Sequence, residues 1–549
     1  MSRNYPPQGN PVGAAGNLSA LNIDGNKDFA GVTLSNLNLG ATVTLGGVAL
    51  ASAMPIGFRW NRLSNSPTVT RIDANGNALT SLPFGTFDQH VIWGNLRRCT
   101  IDPATGAVTY GTNPRGDGLD LTGASGPVMV ECGLLYVKAW NDYEAGVQDD
   151  LCVVFSPYPL PGFEVCPDFY QRGGTLADFV YWGAYPGTLK DDAGTLKLDS
   201  RTGEQPWTGY GGSLPADGMF ALGFDTGLAD QEPSVGDTIT GAGGSTGVLV
   251  AFRLSSGAWA TNDAAGVLYL KQTTAAFTND EALSVDGTQF ASANTPAGNA
   301  GISLTIAQAE AYANAVNPAA PWGITNPYKW ALRQFLLYIE YGTLDIQTAL
   351  AKGICDKASG TGFAGEEIGI DDIEARLATN GTGTGSGTNG LTPFCWRGTY
   401  LPYSGEWEFI IGCNAIDAEW RFLPRLGLAA LTVAATLTGT EGTDYEATTA
   451  APLTYADPAS PDGYVKKTLY EDVCKYLMLP SELGGSNSTY LADYHWQHRA
   501  GQTNILLGGG GWNIGTNCGP GYLGAYNTVT ISSRNIRARL EFRRKIIPA

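Results

Sequence analysis

Short runs in which apolar and polar residues alternate dominate the first half of the chain. The clearest runs are VMVECGLLYVKAW, DLCVVFS and DFVYWGAY, all between residues 128 and 185. A period of two is the pattern of strands that bury one face, and the Gly, Pro and Asn residues between the runs are typical of turns. We therefore predict short strands joined by turns in this half.

Two segments stand apart from this pattern. Residues 235–296 alternate at short spacing between Gly- and Pro-rich flanks, which predicts an inserted small β-domain. Residues 1–54 have a Pro/Gly/Asn-rich lead and few large apolar side chains, so we expect a β-rich arm that packs on a neighbour or anchors the chain. The alternative is a partly disordered terminus. The body is then divided into residues 55–234 and 297–549.

Helical periodicity replaces alternation in the middle of the chain. SLTIAQAEAYANAV places Thr305 and Gln308 at capping-box spacing, and KWALRQFLLYIEYG repeats apolar residues at helical spacing. IDDIEARLA at 370–378 and TLYEDVCKYLML, with Thr468 and Glu471, predict two more helices. Strands early, helices in the middle, and strands with long loops late together predict an α+β fold.

The overall charge argues against broad nucleic-acid binding. The 549 residues carry a formal net charge of -18, whereas nucleic-acid binding needs a basic footprint. The exception is a basic tail formed by Arg534, Arg537, Arg539, Arg543, Arg544 and Lys545. At alternate positions of a strand, Arg537 and Arg539 share one face, which we interpret as solvated or as pairing with a second subunit.

Cysteine usage and the absence of apolar runs indicate where the chain folds. Nine cysteines, an odd number without any CxxC, favour reduced, buried thiols and folding in a reducing cytosol. The opening MSRNYPPQGNPVGAAGN lacks the apolar core of a signal peptide. Since no run of about 20 apolar residues exists, we also expect no membrane insertion.

Motifs for catalysis or metal binding are weak. His495 and His498 stand three residues apart near Asp493 without a clear third ligand, so we interpret them as hydrogen-bonded structural histidines. Gly243–Gly247 matches G-x-S-x-G, but the strand–turn–helix context is missing and we predict a turn. We expect no enzymatic activity, no cofactor and no metal.

Several segments follow one another in a recognisable order. They are PGFEVCPDF at 161–169, YWGAYPG at 181–187, WALRQFLLYIEYGTLDIQTALAKGI at 330–354, FCWRGTYLPYSGEWEFIIGCNAID at 394–417 and GGGGWNIG at 508–515. In this order they resemble the formylglycine-generating-enzyme-like branch of the C-type-lectin fold, especially its phage tail proteins and related variable proteins such as tropism determinants. The resemblance runs from about residue 55 to 549, interrupted by the insert, and implies a C-type-lectin-like body.

The resemblance also implies a contact face, because members of this branch display ligand-contacting residues on C-terminal loops. Aromatic, Asn, Ser and Gly residues together suit contact better than chemistry. The implied contact residues are Trp512, Asn513, Asn517, Tyr522, Tyr526, Asn527 and Arg534. Within this set we favour a scaffold role for Trp512 and ligand contact for Tyr522 and Tyr526.

The function implied by the resemblance is that of a phage virion protein at the tail tip or fibre. It would bind a host cell-surface receptor, protein or glycan, non-covalently, as a homotrimer whose N-terminal arm contacts other tail proteins. We expect it to fold in the host cytoplasm and to reside in the virion tail. Two alternatives stay open: a purely structural virion component, such as a capsid decoration or baseplate protein, and a non-viral bacterial ligand-binding protein.

Overall fold

The chain forms two compact units, Met1–Ala51 and Ser52–Ala549. In the first unit, Thr44–Leu45 (β1) pairs antiparallel with Val48–Ala49 (β2). The second unit is predominantly β. The computed structural model describes residues 44–45, 48–170, 175–192, 195–201, 220–271, 273–275, 277–294, 304–356, 381–384, 389–425, 434–455, 462–533 and 535–544.

The first part of the second unit consists of antiparallel strands, as its alternation predicts. Five of these form a sheet in the order β10-β8-β9-β3-β4. The central strand β9 is buried along nearly its whole length, whereas β8 ends in exposed residues. The strands are Ile56–Asn61 (β3), Thr70–Ile72 (β4), Arg97–Ile101 (β5), Val108–Tyr110 (β6), Val128–Gly133 (β7), Tyr136–Glu144 (β8), Gln148–Ser156 (β9), Glu164–Val165 (β10) and Phe179–Gly183 (β11).

A hairpin and a closed barrel follow. The hairpin joins Thr188–Asp192 (β12) to Thr195–Asp199 (β13). The barrel strands are Phe220–Gly227 (β14), Thr238–Gly241 (β15), Thr246–Ser256 (β16), Ala264–Lys271 (β17), Ala282–Val285 (β18) and Thr288–Ala293 (β19). They close in the order β14-β17-β16-β15-β18-β19 around their own apolar core.

The barrel takes its first strand from before the predicted boundary at Val235. Strand β14 pairs with both β17 and β19 and thereby closes the sheet on itself. The G-x-S-x-G segment is a turn between β15 and β16, as predicted, with the Gly244 N–H donating to the Gly241 carbonyl at 2.9 Å. The Glu281 carboxylate accepts from the Gly243 N–H at 2.8 Å, so the motif here closes a barrel turn.

Three helices lie among the described residues: Ile306–Asn314 (α1), Pro327–Tyr341 (α2) and Ile346–Ala349 (α3). The predicted capping box of α1 is confirmed, since Thr305 and Gln308 bond each other's backbone N–H groups. Helix α2, also predicted, begins after the cap Asn326 and ends at Gly342 in the left-handed conformation. The predicted helix at 370–378 lies outside the described residues. No described helix is long and apolar enough to cross a membrane.

The remaining described strands follow α1 in the chain, β20 before α2 and the others after it. They are Trp322–Ile324 (β20), Gly383–Thr384 (β21), Phe394–Trp396 (β22), Thr399–Tyr400 (β23), Trp407–Ala415 (β24), Trp420–Phe422 (β25), Glu446–Ala447 (β26), Thr454–Tyr455 (β27), Gly463–Thr468 (β28), Pro480–Leu483 (β29), Tyr494–Trp496 (β30), His498–Arg499 (β31), Asn504–Gly508 (β32), Leu523–Gly524 (β33), Ile536–Arg537 (β34) and Leu540–Arg544 (β35).

The last strands join both ends of the second unit. The largest sheet has the order β26-β25-β24-β32-β33-β30-β28-β29, with β34 beside β24. Strand β35 instead enters the sheet β20-β35-β11-β7-β5-β6, between strands that are distant in sequence. The C-terminal segment therefore connects the early strands to the late ones.

The segment TLYEDVCKYLML is a turn, and the helix prediction there is wrong. Thr468 is the last residue of β28, which pairs with β29. The Glu471 carboxylate accepts from the N–H groups of Thr449 and Ala450 at 2.8 and 2.9 Å, so it caps no helix. The Cys474 N–H donates to the Glu471 carbonyl at 3.0 Å, as in a turn. Pairing with distant residues has overridden the local helical pattern.

Candidate functional site

A buried network of charges is centred on Glu408 of β24. Its carboxylate accepts from Arg333 at 2.6 Å, from the Thr325 hydroxyl at 2.6 Å and from Arg539 Nε at 3.0 Å. Arg537 lies 3.5 Å from the same carboxylate. Burial raises the pKa of Glu408, but the three guanidinium groups outweigh it and hold that pKa well below its usual range.

A second buried network fastens β35 to α2. Asp168 pairs with Lys329 of α2 at 2.8 Å and with Arg543 at 3.0 Å. Arg543 also pairs with Glu541 at 2.7 Å. The Asn326 amide donates to both carboxylates, at 3.2 and 2.9 Å. Burial raises the pKa of Asp168, and the two cations lower it by more.

For Arg537, Arg539 and Arg543, the interpretation of the basic tail as a solvated or intersubunit strand is wrong; Arg544 is half-buried, and Arg534 and Lys545 lie outside the described residues. Arg537 and Arg539 are 0% exposed and Arg543 is 6% exposed. Each guanidinium lies within hydrogen-bonding distance of a carboxylate from within the same chain. These arginines are buried because Glu408, Asp168 and Glu541 supply the opposite charge that a buried guanidinium requires.

The glycine run before Trp512 lets the display loop, which we define as residues 508–522, lie directly on aromatic rings. A Cβ on Gly508 would lie 2.7 Å from the indole of Trp330, and one on Gly511 would lie 2.8 Å from the indole of Trp407. The Trp330 Nε1–H donates to the Pro520 carbonyl at 3.1 Å. The loop therefore contacts Trp330 of α2 near both of its ends, and Trp407 of β24 near its beginning.

Two of the predicted contact residues in this loop are buried. Trp512 is 3% exposed and Tyr522 is 2% exposed. The Tyr522 ring lies 6.5 Å from that of Trp407, and its carbonyl accepts from the Gly509 N–H at 3.2 Å. Tyr522 therefore does not reach the surface, and the prediction that it contacts a ligand is corrected.

The other predicted contact residues are more accessible. Asn513 is exposed, and Asn517, Tyr526 and Asn527 are half-buried. Arg534 lies outside the described residues. The Asn527 carbonyl accepts from the Ile505 N–H at 2.8 Å, which fixes the backbone after Tyr526. The accessible members thus fall into two groups, one on the display loop and one after β33.

Tyr526, from the second group, is one of four neighbouring half-buried aromatic rings. We call these rings, Tyr464, Tyr494, Trp496 and Tyr526, the aromatic row. Tyr464 and Tyr494 pair across β28 and β30, with ring centroids 5.2 Å apart. Trp496 follows Tyr494 at the alternate position of β30, on the same face. Its ring lies 5.9 Å from that of Tyr526. The strand pairing therefore brings together residues that are 62 positions apart at the extremes of the row.

Polar groups border both ends of the row. The Tyr464 hydroxyl lies 2.9 Å from the Thr516 hydroxyl and 2.8 Å from the Asn517 amide oxygen. At the other end, the Arg499 guanidinium lies 4.0 Å from the ring centroid of Tyr526 and donates to its hydroxyl. These contacts tie the row to the display loop and orient its last ring.

Sequence reasoning missed Tyr464, Tyr494 and Trp496. The only sequence signal was the three-residue run YHW, whose residues are half-buried, buried and half-buried in the structure. A strand of that length is too short for periodicity to be convincing. Its pairing with β28 and β33 is what makes it a surface.

The histidines behind the row are hydrogen-bonded, as predicted. His495 Nδ1 donates to the Leu523 carbonyl at 2.6 Å, and burial lowers the pKa of His495 to about 4. His498 lies between the side chains of Asn504 at 2.6 Å and Asp417 at 2.9 Å. Within the described ranges, no group of three or more His, Cys, Asp or Glu residues is placed to hold a metal. All nine cysteines are free and buried, in agreement with the prediction.

A buried carboxyl group lies beneath the display loop. Asp493 is 1% exposed and accepts from the Gly521 N–H at 2.6 Å. Burial and, to a lesser extent, the charge of Asp345 raise the pKa of Asp493 well above its usual range, although the Gly521 and Gln347 hydrogen bonds act against this. A Cβ on Gly519 would lie 1.7 Å from the carboxyl oxygen, so the loop fits only with glycine there.

Comparison with known proteins adds no identification. No family model matches the chain, and no curated protein matches it. The function is therefore argued from the residues of the site.

Proposed function

We propose that this protein binds a host-surface molecule non-covalently through the aromatic row and the adjoining display loop, as part of a phage tail. The observation that carries the proposal is the row itself: four half-buried rings side by side on one sheet face, bordered by amide and hydroxyl groups. Rigid aromatic side chains provide large contact area at low entropic cost.

The surroundings of the row support binding in preference to catalysis. His495 and His498 are engaged in structural hydrogen bonds. Glu408 and Asp168 are committed to buried ion pairs. A scaffold held by such networks keeps a contact surface in one conformation, which lowers the entropic cost of binding.

The phage setting comes from the resemblance to C-type-lectin-like phage tail proteins. The position of the display loop, after β32 and against β24 and α2, is consistent with the C-terminal loops that the resemblance implies. A homotrimer attached through the N-terminal arm would present several copies of the row. Weak single sites would then give strong attachment through multivalency.

The proposal is tested with intact virions. Immunogold labelling with antibody against residues 300–549 is expected to mark the tail. Virions carrying Trp496→Ala should adsorb to the bacterium that the phage infects at least tenfold more slowly. The matched control is Tyr143→Ala, which removes a 67% exposed tyrosine on the β8–β9 hairpin. Gold spread over the head, or adsorption unchanged by Trp496→Ala, would favour a purely structural virion component.

A further inference from the structure

We infer that the molecule lying along the aromatic row is a neutral, linear oligosaccharide, an inference that rests on the function proposed above. Sugar rings present apolar C–H faces and a rim of hydroxyl groups. The faces pack on the negative face of an aromatic ring, and the hydroxyls bond with amide, hydroxyl and guanidinium groups. The row and its borders supply both kinds of partner.

The spacing of the row suits a chain of linked rings. Successive centroids are 5.2 Å apart for Tyr464 and Tyr494, and 5.9 Å apart for Trp496 and Tyr526. The step from Tyr494 to Trp496 is two residues along a strand, about 6.6 Å. These steps are comparable with the repeat of linked sugar rings. Within each pair the ring planes are nearly perpendicular, at 86° and 78°, so a chain of sugars lying along the row would meet both ring faces and ring edges.

The strands under the row are poorly suited to an extended peptide. Strand β28 lies between β29 and β30, and β30 lies between β28 and β33. Peptides that bind to sheets add to an edge strand whose backbone N–H and C=O groups are free. Because the row lies on the face of interior strands, a ligand there must bind through side chains.

Charge argues for a neutral ligand. The chain carries a net charge of -18, and the charges beside the row have both signs. Arg499 lies at one end, and Lys466, two positions after Tyr464 on β28, is paired with Glu482. The carboxylate of Asp462 accepts from the Gln497 N–H at 2.8 Å. Stacking surfaces for single-stranded nucleic acid need a positive groove along the backbone. The net negative charge of the chain also repels anionic polysaccharides.

The ends of the row provide the hydroxyl-binding groups. At one end, the Tyr464 hydroxyl, Thr516 and Asn517 form a cluster of donors and acceptors, with the exposed Asn513 nearby in sequence. At the other end stand the Tyr526 hydroxyl and Arg499. Since both ends can bond hydroxyls and the middle can stack, the row suits a ligand several sugars long.

The experiment measures binding of the full-length protein to host cells after two surface treatments. Mild periodate cleaves the vicinal diols of glycans, whereas protease removes surface proteins. The inference requires that periodate reduce binding at least tenfold and that protease leave it unchanged. Loss after protease alone would overturn the oligosaccharide and keep the receptor function. Failure to bind untreated cells would instead count against the proposed function.

A competition experiment tests neutrality and location. Host surface polysaccharide is separated by anion exchange into neutral and acidic fractions, and each is added to the binding assay. The neutral fraction should compete, and competition by the acidic fraction alone would overturn the inference. Without competitor, Tyr494→Ala and Trp496→Ala should each weaken binding to the cells at least tenfold, with Tyr143→Ala as the control. If the row variants melt at the wild-type temperature and still bind normally, the ligand does not lie on the row.

Discussion

The charge network around Glu408 and the aromatic row both take residues from the C-terminal third of the chain, and the exposure of each is the reverse of what its residue types suggest. Arg537 and Arg539 carry charged side chains of a type usually found at the surface, yet both are fully buried. Tyr494 and Trp496, which resemble core residues, remain partly accessible. The difference shows that partners decide exposure here: each buried arginine pairs with a carboxylate, whereas the rings lie on one face of the sheet and stay half-buried.

The largest expected effect comes from removing the charge at the centre of the network. Glu408→Gln leaves Arg333, Arg537 and Arg539 without their shared counter-charge, so the free energy of unfolding should fall by about 3–5 kcal/mol. Urea denaturation measures the change. As the control, Asp192→Asn breaks the exposed pair with Lys197 and should cost less than about 1 kcal/mol. Equal losses in the two variants would contradict the central role of Glu408.

The second test addresses the join between scaffold and display loop. Gly519→Ala places a Cβ 1.7 Å from the Asp493 carboxyl oxygen at a φ of 149°. Overpacking together with backbone strain should cost about 2–4 kcal/mol. Gly501→Ala is the matched control, since its φ is 72° but no atom lies within 4 Å of the added Cβ. Strain alone predicts about 1–2 kcal/mol there. A smaller loss for Gly519→Ala than for Gly501→Ala would show that the loop moves away freely.

The third test uses pH. Because the pKa of Asp493 is raised in the folded state, the folded chain keeps a proton that the unfolded chain releases above the usual aspartate range. Stability from this group is therefore fully present at low pH and is lost as pH rises towards the folded pKa. Asp493→Asn should remove this dependence, because an amide does not titrate in this pH range. Its oxygen can still accept from the Gly521 N–H. Urea unfolding from about pH 5 to about pH 9 measures it, and parallel curves for the two proteins would refute the assignment.

The smallest expected effect on stability is in the row. Tyr494→Ala should lower the free energy of unfolding by about 1 kcal/mol, the contribution of one aromatic pair on a surface, while reducing binding at least tenfold. Phe335→Ala, in the buried face of α2, should cost about 3–5 kcal/mol. Thermal or urea unfolding of both variants gives the comparison. A loss at Tyr494 as large as that at Phe335 would make the row part of the core.

Local signals in the sequence were sufficient where neighbouring residues decide the structure. The capping box of Thr305 and Gln308 predicts the start of α1, and the alternation around residue 150 predicts strand β9. They were insufficient at Glu471, whose carboxylate bonds to Thr449 and Ala450 instead of capping a helix. The site was predicted in part: Tyr526 belongs to the row and Asn517 borders it, whereas Tyr522 is buried.

The sequence by itself determined the β-rich character of residues 55–234 and of the insert, helices α1 and α2, the turn at Gly243–Gly247 and the burial of the cysteines. Each of these depends on residues close in the chain or on composition. Only the tertiary structure decided that Arg537, Arg539 and Arg543 are buried and that the aromatic row exists. Both arise from pairing between segments far apart in sequence: Asp168 with Arg543, and Tyr464 with Tyr494. Periodicity carries no information about which distant partner supplies a charge or an adjacent ring.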